Sequence, residues 1–252
     1  MKRNLVEIGS KTAKDGFAEE KDIVKKFNDW KTDQDAQDWL NSMNYKISEI
    51  EKVEAEVISG HHKADVQVRV RIYFKTLIGV ENISIKLVSK HTGFNQIDKR
   101  KVDKYVEMWN IPKNLTIAIK LFTGELKPTR EDVRDKRRMF IDELDEKTQK
   151  SLLKFFEKNK ILVLTDIIKG NDEFSASWFM VVWKKKDQKP EWIIRDINYV
   201  LNFYGNGNIE VTKQGSLKIG KITMQRKGGD GGRETAKLLQ FKLNPLELFK
   251  NK

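Results

Sequence analysis

Asp65, Ser84 and Lys86 are spaced so that they could share the polar face of one β-hairpin. A carboxylate and a main-chain carbonyl can together hold Mg²⁺, and a lysine beside them can orient or deprotonate an attacking water, which is equipment for hydrolysing a phosphodiester. That chemistry uses an Asp, a hairpin of variable length, and then acid-x-Lys. Here the middle position is the neutral Ser84, so the bare pattern also describes an amphipathic hairpin with a solvated face. Glu20 offers a second carboxylate. It lies three residues after Phe17 and four before Val24, on the stripe of a helix that should pack inward. An inward carboxylate needs a metal or a lysine as partner; the alternative is a rim position in water.

Other chemistries find little footing. Cys is absent, which excludes disulfide scaffolds, thiol nucleophiles, iron–sulfur clusters and Cys-ligated zinc. His61 and His62 are adjacent and His91 is the only other histidine, with no HxH, HxxxH or HExxH, so a zinc hydrolase is not indicated. No phosphate-binding GxxxxGK[ST] or GxGxxG occurs, and no GxSxG elbow supports a serine nucleophile.

A second segment, QRKGGDGGRE, combines Gly228, Gly229, Gly231 and Gly232 with Arg226, Lys227 and Arg233. Glycines let a backbone approach a ligand closely, and two strands around such a loop could enter a DNA major groove, where Arg or Lys reads guanine and Asp or Glu accepts from cytosine N4. An ordinary solvated hairpin tip would have the same composition. The chain carries a formal charge of +12, and from Lys213 to Lys242 eight basic residues face only Asp230 and Glu234. A charge so concentrated suits a polyanionic partner, although a lysine-rich surface can also be merely solubilising.

These residues must be positioned by regular elements. A helix is expected from about Asp15, as N-cap, to Trp30, and another from Gln34 to Met43. VEAEVISG reads as a strand. Val66, Val68, Val70, Ile72 and Phe74 alternate with Gln67, Arg69 and Arg71, and Ile83, Ile85 and Leu87 alternate with Ser84 and Lys86. The alternation predicts a hairpin with a wet face and a loop centred near Leu77, setting Asp65 opposite Ser89 and diagonal to Lys86. Helices are expected at Lys101–Trp109, at Arg130–Phe156 with an interruption near Asp145, and at Asp196–Tyr204. ILVLTDII (161–168) and WFMVVW (178–183) read as buried strands. NIEVT, SLKIGKITMQ and LLQFKL make the end of the chain strand-rich. Nothing approaches the ~20 apolar residues of a membrane span, and no apolar leader opens the sequence, so a soluble cytoplasmic protein is expected.

GSKTAKDGF followed by EKDI, the KADV and SIK pair, GFNQIDK, FTGEL, DKRRMF, ILVLTDI and QRKGGDGGRETA with LQFK resemble, almost end to end, the HinP-type Type II restriction endonucleases that cut within GCGC. The resemblance implies the PD-(D/E)xK nuclease superfamily and a mixed α/β fold, with a central mixed sheet flanked by helices and a strand-rich C-terminal DNA-recognition region. It implies a catalytic region over 1–130 and a recognition region over 131–252, in close contact. By this likeness Asp65 matches the metal-binding Asp, Lys86 the catalytic Lys, and Ser84 the position between them, which in this branch is already a neutral Gln; Ala64 departs from the Pro or Ser before the Asp. Asp65, the Ile85 carbonyl and Glu20 are then the expected ligands of Mg²⁺, with Mn²⁺ able to substitute. Phe94 and Gln96 match residues that enter the minor groove. Gln225, Arg226, Lys227, Asp230, Arg233 and Glu234 fall in the base-reading region. Double-stranded DNA is the implied partner, with functional pairing to a cognate methyltransferase but no stable complex, no membrane contact, and a monomer or weak dimer. The rival expectation, kept open by Ser84, is a sequence-specific or DNA-bending protein without nuclease activity.

Overall fold

The computed structural model describes residues 20–58, 67–89, 93–185, 187–229 and 233–251. Asp65, the three histidines, Asp230 and the expected N-cap Asp15 lie outside them. The protein is a mixed α and β structure that divides into two units, one formed by 1–95, 169–200 and 244–252 and the other by 96–168 and 201–243. Each unit takes more than one stretch of chain, so this division does not coincide with a boundary at residue 130.

The first unit is built on a five-stranded mixed sheet in the order β1 (Lys52–Ile58), β2 (Gln67–Tyr73), β3 (Ile78–Val88), β5 (Trp178–Trp183) and β6 (Glu191–Asp196). β1, β2 and β3 form an antiparallel meander, β5 joins β3 in parallel, and β6 closes antiparallel on β5. The alternation expected for β2 and β3 is present. Val68, Val70, Ile72, Ile83 and Ile85 enter a core with Met180 and Val182 of β5. Helix α1 (20–28) and helix α2 (Gln34–Ser42) contribute Ile23, Phe27, Trp39 and Leu40 to the same core. Phe27 and Trp39 pack with ring centroids 5.1 Å apart. Asp33 caps α2 by accepting from the Ala36 N–H at 2.9 Å, supplying a partner for a donor that the first helical turn leaves unpaired.

The hairpin register differs from the expected one. The chain reverses at Phe74–Leu77, where the Phe74 N–H donates to the Leu77 carbonyl at 2.9 Å, and Tyr73 faces Ile78. Gln67 therefore faces Ser84, whereas a loop centred on Leu77 would set it opposite Leu87. Alternation reveals which face a side chain joins but not where a turn closes, and the error lies in the turn.

The second unit carries another five-stranded sheet: β4 (Asn95–Arg100), β10 (Leu239–Leu243), β9 (Ile222–Arg226), β8 (Leu217–Ile219) and β7 (Ile209–Val211). Its helices are α3 (Val102–Trp109), α4 (Lys113–Thr123), α5 (Glu146–Lys158) and the short α6 (Lys160–Leu164), which runs on into a π-helical turn at Thr165–Lys169. Residues 161–168 are thus helical, not a strand. An eight-residue apolar run has the same hydrophobicity in either conformation, and here Val163, Leu164, Ile167 and Ile168 bury one helical face while Ile161 and Leu162 stay exposed. Residues 130–140 form turns and a bridge instead of the expected helix. The helix proper begins only after Asp145, whose side chain caps α5 at the Thr148 N–H. Helix α7 (Ile197–Gly205) follows Asp196 as expected, with its carboxylate accepting from the Asn198 N–H at 2.8 Å.

The interior of the second unit holds charge. Asp98 is almost fully buried, accepts from Tyr105 Oη, and receives the Arg100 Nε and Nη2 groups at 3.1 Å. Nearby, Trp109 Nε1 donates to buried Asp166 at 2.7 Å, and the Trp109 ring packs on Tyr105 and Phe241. Breaking a buried pair by removing one partner strands the other, so Asp98→Ala should destabilise the protein by about 3–5 kcal/mol. Tyr105→Phe, which leaves the ring in place, should cost about 1–3 kcal/mol. Urea denaturation of the two variants beside the parent checks the order.

Candidate active site and recognition loop

Ser84 and Lys86 sit two residues apart on β3 and share the face opposite to Ile83 and Ile85. That face is not wet. Ser84 is 1% exposed and Lys86 4%, because β2 and β5 flank β3 on both sides and Phe179 of β5 lies beside them. The Lys86 ammonium stands 6.0 Å from the Phe179 ring centroid. Gln67, expected on a solvated face, is buried opposite Ser84.

Glu20 turns inward as its helical stripe requires and is 4% exposed. Burial pushes its carboxyl up to about 7, while the Lys86 charge pulls the other way. Two residues far apart in sequence are thus close enough to feel each other's charge in a site with little water. Among the described residues, Glu20 Oε2 and Ser84 Oγ are buried without a hydrogen-bond partner. Buried oxygen atoms left unpaired are costly and await a donor or a cation. No cluster of three or more Asp, Glu or His ligands occurs among the described residues, and Asp65 lies outside them. The orphaned Glu20 oxygen fits a hard divalent cation in kind, as one member of an oxygen donor set.

Asn82, which sequence reasoning passed over, braces the same strand. It is buried, accepts from Arg69 Nε at 3.1 Å, and donates to the carbonyls of Glu173 and Ser175 at 3.1 and 3.2 Å. Its signal in the sequence was only its register, two positions before Ser84.

Phe94 is 55% exposed just before β4, and Gln96 is half-buried on that strand. In the second unit, Gln225 and Arg226 end β9, and the chain beyond is pinned by the Lys227 N–H to the Leu238 carbonyl at 2.8 Å and the Gly228 N–H to the Ala236 carbonyl at 2.9 Å. Gly228 and Gly229 have φ of 66° and 65°, a left-handed backbone that L residues rarely adopt, and nothing stands within 4 Å of the place a Cβ would take. Arg233 and Glu234 lie exposed at the start of a 3₁₀ turn (Glu234–Lys237), where Glu234 pairs with Lys237 at 2.8 Å.

Residues 43–249 match the model of the R.HinP1I restriction endonuclease family. The chain belongs to that family. It is a site-specific deoxyribonuclease of the restriction type. A solved structure of restriction endonuclease MspI in complex with its cognate DNA is similar in fold, with a TM-score of 0.61 over 90% of this chain and 88% of that one at 15% identity. Comparison with curated proteins gives no match. No described helix of the endonuclease is long and apolar enough to cross a membrane.

The raised pKa of Glu20 has a definite sign. The folded protein holds this proton up to about pH 7, whereas the unfolded chain releases it near 4.5, so the folded state is favoured at low pH and loses that advantage as the pH climbs from 4.5 to 7. In metal-free buffer the parent endonuclease should therefore fall in stability across that window relative to Glu20→Gln, which cannot ionise. Parallel urea melts at intervals of pH would show the two curves separating; curves that stay parallel would mean Glu20 is solvated.

Proposed function

We propose that the endonuclease is a Type II enzyme that hydrolyses phosphodiester bonds of duplex DNA at or near GCGC, using Mg²⁺ at a PD-(D/E)xK-type site. The observation that carries this reading is the buried neighbourhood of Glu20 on α1 with Ser84 and Lys86 on the central strand, in a chain of this family. Asp65, the main-chain oxygen of Ile85 and Glu20 are the proposed metal ligands. A divalent cation there would stabilise charge on the scissile phosphate and make the attacking water more acidic. Lys86 orients that water, and the apolar wall of Phe179 and the sheet strengthens its field by keeping bulk water away. Ser84 brings no charge to offset a cation, so the DNA phosphate supplies part of what the protein lacks.

Specificity is assigned to the loop after β9 and to the turn before β4. Lys227 and Arg233 suit the O6 and N7 acceptors of guanine, Asp230 and Glu234 the N4 donor of cytosine, and Gln225 either partner, which fits a target made only of G and C. Phe94 is an exposed aromatic that can wedge between base steps, with Gln96 behind it. Double-stranded DNA is the partner. A host carrying such an activity needs a methyltransferase to protect its own sites, without a lasting complex between the two.

Cleavage of a plasmid containing GCGC, with and without Mg²⁺, tests the reading. Asp65→Ala and Lys86→Ala should each abolish cleavage while DNA binding in Ca²⁺ stays largely intact. Ser84→Ala should retain much of the activity; a Ser84→Ala variant as inactive as Asp65→Ala would make the hydroxyl a direct participant. Binding of GCGC duplex without cleavage under any divalent cation would leave a DNA-bending protein instead. Lys227→Ala and Arg233→Ala should each lose about 1–3 kcal/mol of binding on GCGC and much less on an unrelated duplex. Equal losses on both duplexes would remove the loop from the specificity argument.

A further inference from the structure

A cleft of about 350 Å³ opens in the second unit, lined among others by Asp135, Arg137, Arg138, Arg226, Gly228 and Lys237. Four cations and one carboxylate share it, and most of them are already paired. Asp135 receives Arg137 Nε at 2.8 Å and Nη2 at 3.0 Å, and Lys237 is held by Glu234. Two guanidiniums are less fully held. Arg226 forms no ion pair among the described residues. Arg138 Nε makes a long ion pair with Asp135 Oδ2 at 3.5 Å, sharing that carboxylate with Arg137. The Nε groups of both arginines are buried without a hydrogen-bond partner among the described residues.

The positions of these side chains are set in advance. The Arg138 guanidinium lies 4.0 Å from the Phe140 ring centroid and 5.6 Å from that of Phe122. Its backbone N–H donates to the Asp135 carbonyl at 3.0 Å, and the next residue, Met139, donates to Leu121 at 2.9 Å. Gly124 (φ 81°) lets this turn lie against the end of α4, since a Cβ there would stand 2.6 Å from the Arg137 carbonyl. On the other side, Gly228 and Gly229 put no side chain into the cleft. Burial, and then the neighbouring guanidinium, hold the pKa of both arginines below its ordinary range: Arg226 acts on Arg138, and Arg137 on Arg226. Two guanidiniums in one cleft, each with an Nε buried and unpaired, share a single carboxylate, Asp135, whose charge is already taken up by Arg137.

We infer that Arg138 and Arg226 together form a clamp for one phosphodiester of the DNA backbone, which seats the glycine loop on the duplex. A guanine edge is neutral and is satisfied by one guanidinium, whereas a phosphate carries a full negative charge and accepts from two, and the open backbone at Gly228 gives it room. The inference rests on the reading of the chain as an enzyme of duplex DNA. It goes beyond that reading by adding Arg138, which belongs to no loop assigned to recognition, and by giving Arg226, expected from the sequence among the base readers, a positioning role instead.

The test measures anisotropy of two labelled duplexes of equal length, one containing GCGC and one lacking it, titrated with the parent enzyme, Arg138→Gln, Arg226→Gln and the double variant in Ca²⁺ over a range of KCl. Each single variant should lose about tenfold in affinity on both duplexes and flatten the salt dependence by about one unit of slope. The double variant should lose less than the two single losses multiplied, because both arginines hold one group. Methylphosphonate placed at successive positions of the GCGC duplex should reveal one linkage whose neutralisation weakens the parent but not the double variant. Losses confined to the GCGC duplex would make the pair a base reader, and unchanged affinity and slope would make it part of the fold; either result overturns the clamp while leaving the endonuclease reading intact. Failure of the parent to bind either duplex would overturn both. Should Arg138→Gln not fold, Arg138→Lys keeps the charge and should hold the parent salt slope, while Arg226→Gln, at the end of β9, carries the same expectation of loss.

Discussion

A lysine buried in the middle of a five-stranded sheet is the constraint around which the first unit is arranged. Lys86 is 4% exposed, with β2 and β5 closing both edges of its strand. Desolvating an ammonium costs several kcal/mol unless charge or hydrogen bonds offset it. The Glu20 carboxyl, brought from another part of the chain by α1, which packs through Ile23 and Phe27 into the same core, offsets part of that cost once it ionises, near pH 7. Hydrophobic packing of that helix and the electrostatics of the site are therefore one arrangement: the apolar stripe that fixes α1 also fixes where its carboxylate points.

Buried polar groups fall into two kinds. In the second unit, Asp98 accepts from Arg100 and Tyr105, and Asp166 from Trp109. Elsewhere among the described residues, Glu20 Oε2 and Ser84 Oγ in the first unit and the Nε groups of Arg138 and Arg226 in the second stay without a hydrogen-bond partner. Satisfied polar groups hold a fold, and an orphaned one calls for an explanation, whether Trp39 Nε1 in the core or Glu20 Oε2 near Lys86.

Much of this was legible in the sequence where a physical period exists. Period-two alternation located β2 and β3 and put Ser84 and Lys86 on one face, and the helical stripe turned Glu20 inward. Other features have no local signature. The turn at Phe74–Leu77 and hence the partner of Gln67 depend on backbone closure, and the burial of that face depends on β5, whose pairing is with residues far away in sequence. The apolar stretch 161–168 satisfied a strand and a helix equally, and the π-helical turn settled it. Arg138 sits in a run of charges, DKRR, that reads as solvated surface; only the aromatic rings of Phe122 and Phe140 around it distinguish it from its neighbours.

The parallel pairing of β3 with β5 has a kinetic side. Tyr73 and Ile78 meet across five residues of chain, whereas Ile83 and Trp178 meet across 95. Closing the longer loop costs roughly 2–3 kcal/mol more in chain entropy, before any of the contacts that reward it are made. The meander of β1, β2 and β3 can therefore assemble early, while the second edge of β3 waits for residues 96–168 to be made and for the chain to return. During that interval the strand carrying Lys86 presents an unpaired ladder of backbone groups, the form of surface on which chains adhere to one another. In pulsed hydrogen exchange, amides of β2 should gain protection before those of β5. A chain folding in this order would form the strand that carries Ser84 and Lys86 before the burial that surrounds them.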